Sequence, residues 1–393
     1  MGNGHYRGRR ALPLQRVTIF CMQQVHMDSL ARICEEHAGW ACEVQAIEEL
    51  VGPHWGRSTI WRCAYVGQDR LQHTVIAKYS NLGAGHGANE SAILSRLNCQ
   101  TELEGHLPRL LGYDAQLGLL VLSDLGDLRN QHLADWRDRL SHEQWIECLR
   151  DLMGLVGSLN RLNPADDPHW RDFPPINPTT DVTKHAAVHF EESIELLPER
   201  FQAFEISLHD TALAELAEMK RELFSPQRYC LTHADICPSN VALLDGNLLI
   251  FDFEVANLRH PAIDAAWPRM RALRCFHCTI LQEPLVSELE QAWASGFAWQ
   301  DSALAVECSF GVLISAGCAA WLAAMLTWLP YLMEKDRERE RVPDRTRIIA
   351  VLEAMAGCDA AYGCLPGFAL ACRSLRERLL QAWPGSALQN RPV

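Results

Sequence analysis

Apolar and polar residues alternate in short runs over the first third of the chain and recur at helical spacing over most of the rest. Three runs, Cys42–Val51, Ser58–Gly67 and His73–Ser80, are short, rich in β-branched and aromatic residues, and set apart by "GPHWG" and "GQD". Such runs predict strands. Ahead of them, "DSLARICEEH" (Asp28–His37) has helical spacing, with Asp28 placed to cap it. After them, "ESAILSRLN" predicts a helix opening at Glu90, with Ile93, Leu94 and Leu97 as its apolar face. "LPRLLGYD" (Leu107–Asp114) follows, and then "GLLVLSDLG", an apolar strand ending at Gly126. Beyond Gly126 the helical period takes over. Ser141–Leu162 and Ala212–Leu223 read as helices, with the proline-rich loop Asn163–Asp181 between them. One hairpin interrupts this region: "VALL" and "LLIF" flank Asp245-Gly246-Asn247, a strong turn signal.

Cys308–Met333 carries no charged residue. It is long enough to cross a bilayer, which takes about 20 residues. Its wealth of Ala, Gly, Ser and Cys, and Pro330 near its end, suit instead a helix buried on all sides of a large helical lobe. A membrane span and a partner-facing surface are the alternatives. No internal repeat or low-complexity tract is present. The pattern predicts an α+β chain of two lobes: a small β-rich N-lobe over residues 28–125 and a larger, mostly helical C-lobe over 126–393. Residues 1–27 read as a poorly ordered leader, with Met22 and Met27 as alternative starts.

Composition narrows the function. At 393 residues the chain exceeds one ordinary core. A formal net charge of −13 argues against nucleic acid as a partner, because phosphate backbones call for a basic surface. The same charge is compatible with a cationic substrate, and it also keeps a protein soluble. Fifteen scattered cysteines without a signal peptide predict reduced thiols in a cytoplasmic protein.

The chemistry gathers around the hairpin. Asn240 stands just before its first strand and Asp252 just after its second, so a tight turn brings the two side chains together. Asp235 lies five residues ahead of Asn240. Mg²⁺ prefers one or two such oxygens together with phosphate oxygens and waters. Phosphoryl transfer needs metal-neutralised phosphates, an aligned hydroxyl and a carboxylate to orient or deprotonate it. In the β-rich part, Lys78 is the one cation of the apolar strand "VIAKYS", and Glu90 follows twelve residues later. A strand lysine on the phosphates, held by a helix glutamate, is the protein-kinase arrangement. "LVLSDLG" would be the hinge between lobes, offering the Ser123 carbonyl and the Leu125 amide to adenine.

"HADICPSN" (His233–Asn240) followed by "IFDFE" (Ile250–Glu254) resembles the HGDxHPGN…IDFE signature of the aminoglycoside phosphotransferase family, over roughly residues 40–270. That family has the protein-kinase-like fold and includes choline, fructosamine and methylthioribose kinases. The resemblance implies ATP and Mg²⁺ as cofactors and a small-molecule alcohol as substrate, such as an aminoglycoside, a choline-like alcohol or a sugar. It implies Asp235 as the catalytic aspartate, His233 as a buttress of its loop, and Asn240 and Asp252 as Mg²⁺ ligands. Lys78 and Glu90 would serve the ATP phosphates, and Asp264 in "HPAIDAAW" would support the loop. Ala234, Cys237 and Ser239 replace the usual Gly, His and Gly. "VGPHWGRSTIW" lacks a G-x-G-x-x-G, so Ser58 and Thr59 are the candidate phosphate contacts.

Other features read as structural. "CFHC" (Cys275–Cys278) has no second pair at zinc-finger spacing. His185 and His189 lack the glutamate of a metalloprotease motif. Asp181–Glu222 holds ten acids against four Lys or Arg, which suits a solvated face or a wall receiving an amine, with Glu191, Glu192 and Glu195 its test residues. A protein kinase is an alternative, disfavoured because Cys237 replaces lysine, Glu254 replaces glycine and no A-P-E segment follows. A catalytically silent nucleotide-binding scaffold is the other. The acceptor and the oligomeric state are left open by the sequence.

Overall fold

A computed structural model describes residues 24–39, 43–50, 58–66, 71–80, 84–126, 131–162, 190–271, 281–336 and 343–386. The leader up to residue 23, the loop 163–181, the His185/His189 pair and the "CFHC" segment lie outside the described residues.

The N-terminal part is one antiparallel sheet in the order β1-β2-β3-β5-β4. Its strands are β1 (Val44–Leu50), β2 (Ser58–Val66), β3 (Gln72–Ser80), β4 (Leu110–Asp114) and β5 (Leu119–Ser123). Alternate side chains of a strand face opposite sides, so the sheet has two separate jobs. On one face Trp61, Cys63, Tyr65, Val75, Ala77, Leu119 and Val121 pack against Leu30, Ile33 and Cys34 of α1 (Gln24–Ala38). On the other, Ile76, Leu120 and Leu122 join Ile93, Leu94 and Leu97 of α2 (Ala84–Leu97) and merge with the core of the helical part. The α1 face stabilises the sheet, and the α2 face joins it to the rest of the molecule.

Both helices start earlier than their sequence patterns suggest. α1 begins at Gln24, inside the expected leader, so Asp28 is a helical residue rather than a cap. α2 begins at Ala84, which moves Glu90 from the helix start to its middle. "AGHGAN" has poor helix propensity, but Asn89 and Glu90 are both buried and bonded to a distant segment. Tertiary contacts override the local preference there.

The C-terminal part is helical apart from two strand pairs. β6 (Cys230–Thr232) pairs with β9 (Asn257–Arg259), and β7 (Val241–Leu244) with β8 (Asn247–Ile250). The hairpin turn is Asp245-Gly246, with φ of 50° and 83°. Positive φ at both central residues is the type I′ geometry that matches strand twist. The main helices are α3 (His142–Asn160), α4 (Phe190–Glu195), α5 (Asp210–Leu223), α6 (Leu285–Phe297), α7 (Phe310–Leu326), α8 (Asp344–Tyr362) and α9 (Pro366–Ala382). Ser141 and Gln144 form a reciprocal cap at the start of α3, with bonds of 3.2 and 3.0 Å. α3 crosses α6 so closely that a Cβ on Gly296 would meet the Gly154 carbonyl oxygen at 2.0 Å.

The uncharged stretch becomes α7, and its residues are buried on every side, as expected of a core helix. Among the described residues, no helix is long and apolar enough to cross a membrane. Burying a Leu or Ile side chain contributes about 1.5–3 kcal/mol, so α7 is the centre of the helical core. It is also a platform. Trp321 Nε1 donates to the Ile263 carbonyl at 2.7 Å, and a Cβ on Gly317 would meet the Ala262 carbonyl oxygen at 2.1 Å. The short helix Ala262–Ala265, which carries Asp264, is therefore seated directly on α7.

Ten of the described cysteines are free thiols, most of them buried. Burial pushes the Cys63 thiol up to about 12, with the neighbouring Cys34 adding to it, so it packs as a small apolar group. Cys237 departs from the expectation of reduced thiols, being disulfide-bonded.

Candidate active site

Three stretches meet where the sheet faces the helices: β3, the middle of α2, and the residues around the β7–β8 hairpin. Lys78 lies on the inner face of β3, paired with Ile60 on one side and Leu120 on the other. Its ammonium bonds Glu90 Oε2 at 2.8 Å, bonds Asp252 Oδ1 as well, and lies 3.5 Å from Glu254 Oε2. Burial opposes its charge, but Asp252, Glu90 and Glu254 outweigh that penalty and hold Lys78 well above an ordinary lysine. Glu90 is pushed upward, first by burial and then by the neighbouring carboxylates, although Lys78 pulls it down. Three carboxylates thus share one ammonium. The surplus of negative charge in a half-closed cleft is what a bound cation relieves.

α2 ties this cluster to the hairpin. Glu90 Oε1 accepts the Phe253 amide at 3.1 Å, and Asn89 Nδ2 reaches the carbonyls of Ala256 at 2.9 Å, Glu254 at 3.2 Å and Phe253 at 3.4 Å. Asp252 itself has φ 68° and ψ 60°, a left-handed conformation that L residues other than Gly, Asn and Asp rarely adopt.

The loop ahead of the hairpin is held from below. Asp264 accepts the His233 amide at 2.7 Å and the Ala234 amide at 2.9 Å. Asn160 Nδ2 donates to the same carboxylate at 2.9 Å, and Trp293 Nε1 donates to Asn160 Oδ1 at 2.8 Å. The chain turns at Ala234, where φ is 57°. His233 is wholly buried; its Nδ1 accepts the Asp235 amide at 3.3 Å, which leaves Nε2–H to donate to the Phe251 carbonyl at 3.1 Å. That ring bridges the loop to the strand end. Asn240 Nδ2 donates to the Asp235 carbonyl at 3.0 Å and to its carboxylate at 3.2 Å. The Asn240 carbonyl accepts the Phe251 amide at 3.1 Å, closing the hairpin base. Asp235, Asn240 and Asp252 therefore stand around one small loop, with Lys78 reaching Asp252 from the other side.

Not every expected residue is placed alike. Ser58 opens β2 opposite Ser80, on the Lys78 face, and its buried hydroxyl has no hydrogen-bond partner among the described residues. Thr59, opposite Tyr79, alternates to the face covered by α1 and so points away from Lys78. Ser123 ends β5; its hydroxyl is taken by the Arg109 amide at 2.8 Å, leaving its backbone as the relevant part. Leu125 follows in the connection between the lobes. That connection has an anchor the sequence did not suggest: Arg62 of β2 grips Asp124 through Nε at 2.8 Å and Nη2 at 3.3 Å. Glu254, the last residue of the quoted motif, and Asn89, next to Glu90, were not singled out as site residues.

Of the features read as structural, the acidic segment is the one that falls partly within the described residues. Glu191 and Glu195 are exposed and pair with Lys220 of α5, Glu191 at 3.8 Å, as a solvated face does. No cluster of three or more metal-type ligands stands out among the described residues.

The profile of a phosphotransferase enzyme family, APH, matches residues 64–303, which is more than half of the chain and includes Lys78, the loop, the hairpin and Asp264. The chain belongs to this family. It is therefore a phosphotransferase with the kinase-like α+β architecture. A search of curated proteins finds no significant match. Solved structures similar to the chain include a Ralstonia eutropha protein described as an aminoglycoside phosphotransferase, at 11% identity and TM-score 0.48, covering 92% of this chain and 99% of that one. The choline kinase of Streptococcus pneumoniae is 11% identical, with TM-score 0.44 and coverage of 84% and 99%. An ethanolamine kinase of Plasmodium vivax is 13% identical, with TM-score 0.44 and coverage of 84% of each chain. Membership of the APH family rests on the profile match.

Proposed function

We propose that the protein is an ATP- and Mg²⁺-dependent kinase that phosphorylates a hydroxyl of a small molecule. The observation that carries the reading is the reach of Lys78 across the cleft to Asp252, with Glu90 behind it and Asp235 and Asn240 on the adjoining loop. Residues 28–125 would hold the nucleotide, and residues from 126 onward would supply the loop and the acceptor site.

Each residue has a separable task. Asp235 accepts the proton of the acceptor hydroxyl, or orients it, as phosphoryl acceptors require. The amide of Asn240 holds the Asp235 carboxylate in one rotamer. His233, uncharged and bonded at both ring nitrogens, fixes the loop backbone rather than moving protons. Lys78 stays charged in its buried setting and is positioned for the phosphates, with Glu90 keeping it extended. The Ser58 hydroxyl, buried on the same face, is suited to a phosphate oxygen. Asn240 and Asp252 are the residues that would hold Mg²⁺, and the surplus of carboxylates over cations at this point fits a divalent ion. Bound there, the ion would neutralise phosphate charge and align the transferred group.

The test is substitution with a fold control. Asp235→Ala and Asp252→Ala should each abolish ATP turnover in a coupled assay against a panel of small alcohols, cationic ones included, while circular dichroism stays unchanged. Turnover surviving in both variants would end this reading.

A further inference from the structure

The structure assigns to Asn89 a positioning role for the Asp252 turn, one that sets how well the site takes up a metal-bound nucleotide. The inference rests on the kinase reading above and deepens it.

The turn at Asp252 is left-handed, and such a conformation persists only where its surroundings hold it. Backbone groups from Phe253 to Ala256 supply the hold. One amide, that of Phe253, is taken by Glu90. The carbonyls of Phe253, Glu254 and Ala256 converge on the single Asn89 Nδ2 group, at 3.4, 3.2 and 2.9 Å. Asn89 is only 8% exposed, so water is a poor substitute for the lost donor. An amide suits this position: it offers two N–H donors at the length of one helical side chain, without a charge. Aspartate in its place would set a carboxylate against three carbonyls.

Consecutive residues of α2 thereby grip both polarities of the same backbone turn. Glu90 also holds Lys78, so the lysine and the aspartate it bonds are referred to one short piece of helix. A shift of α2 would move the lysine and release the turn together. Asn89 touches neither substrate nor metal in this scheme; it acts through the backbone that aims Asp252. Groups that orient a metal ligand typically change metal affinity or activity about 10–100-fold when removed.

The measurement is nucleotide affinity by calorimetry on the full chain, using a non-hydrolysable ATP analogue, once with Mg²⁺ and once in EDTA. Asn89→Leu, which keeps the volume and removes the donor, should lower affinity about 10-fold with Mg²⁺ and leave the EDTA value nearly unchanged. Asn89→Ser is the second variant, read in the same way if the first does not fold. A merely structural asparagine would lower both affinities alike, and that result overturns the inference, as does unchanged affinity in both conditions. If the unsubstituted protein shows no Mg²⁺-dependent binding, the kinase reading falls and this inference falls with it. Loss confined to the variant's Mg²⁺ arm supports both.

Discussion

The loop carrying Asp235 and the turn carrying Asp252 sit a hairpin apart, yet they are held by different parts of the molecule. Below the loop, Asp264 takes two consecutive backbone amides and is itself held by Asn160, which is held by Trp293. Every one of these partners belongs to the helical part, and α7 backs the segment through Trp321. The Asp252 turn is gripped instead by Asn89, Glu90 and Lys78, all from α2 and β3. One aspartate is therefore fixed within its own lobe, and the other is held in place from the opposite lobe. The Asp235 loop depends on contacts within the helical part, while the Asp252 turn depends on how the two lobes meet.

Removing the lower anchor is the strongest way to break that comparison. Asp264→Ala would orphan two buried amides and take one of the Asn160 Nδ2 bonds, leaving the one to the Leu231 carbonyl, and a buried donor left unsatisfied costs about 1–3 kcal/mol. A loss of about 3 kcal/mol in urea unfolding is expected, together with a collapse of turnover. Stability within error of the unsubstituted protein would show that the loop is not anchored there. Asn89→Leu should contrast with it in where function fails, lowering Mg²⁺-dependent nucleotide affinity while the affinity in EDTA holds.

Crowding the platform is a milder intervention. Gly317→Ala places a methyl where the Ala262 carbonyl already stands, and overpacking of this kind costs about 2 kcal/mol. Because α7 supports the Asp264 segment, turnover should fall as well, while nucleotide affinity in EDTA should hold. An equal loss in both would mean that the two regions are not separately supported.

The smallest effect concerns acid. Glu222 pairs with Arg228 and lies 3.3 Å from His260, just ahead of the Asp264 segment. Although burial raises its pKa, the His260 imidazole nearby and the bonded Arg228 guanidinium outweigh that and bring it to about 2, below the ordinary 4.5. A carboxylate depressed on folding contributes stability that is complete above about pH 4.5 and lost as pH falls through about 2. Glu222→Gln should flatten the unfolding curve across that window and leave it unchanged near neutrality. Parallel curves for the two proteins would rule out the pair as an acid-sensitive brace.

Much of this was legible in the residues. β2 and β3 are short runs rich in β-branched and aromatic residues, and Asp245-Gly246 is a turn signal strong enough to place the hairpin and bring its ends together. The buried fate of α7 followed from its small, uncharged residues. Where the reading slipped, long-range contacts had won. α2 extends through two glycines because Asn89 has partners more than 160 residues away. Thr59 looked as suitable as Ser58 until the ladder register set it on the α1 face.

The sequence by itself determined the strands, the hairpin and the kinds of atom that surround it, because turn chemistry and side-chain alternation act over a few residues. The tertiary structure alone decided that Lys78 reaches Asp252, that Asp264 catches two amides of the loop, and that Asn89 grips the turn. Those partners are 174, about 30 and about 165 positions apart in the chain, and only the packing of one part against the other sets such distances.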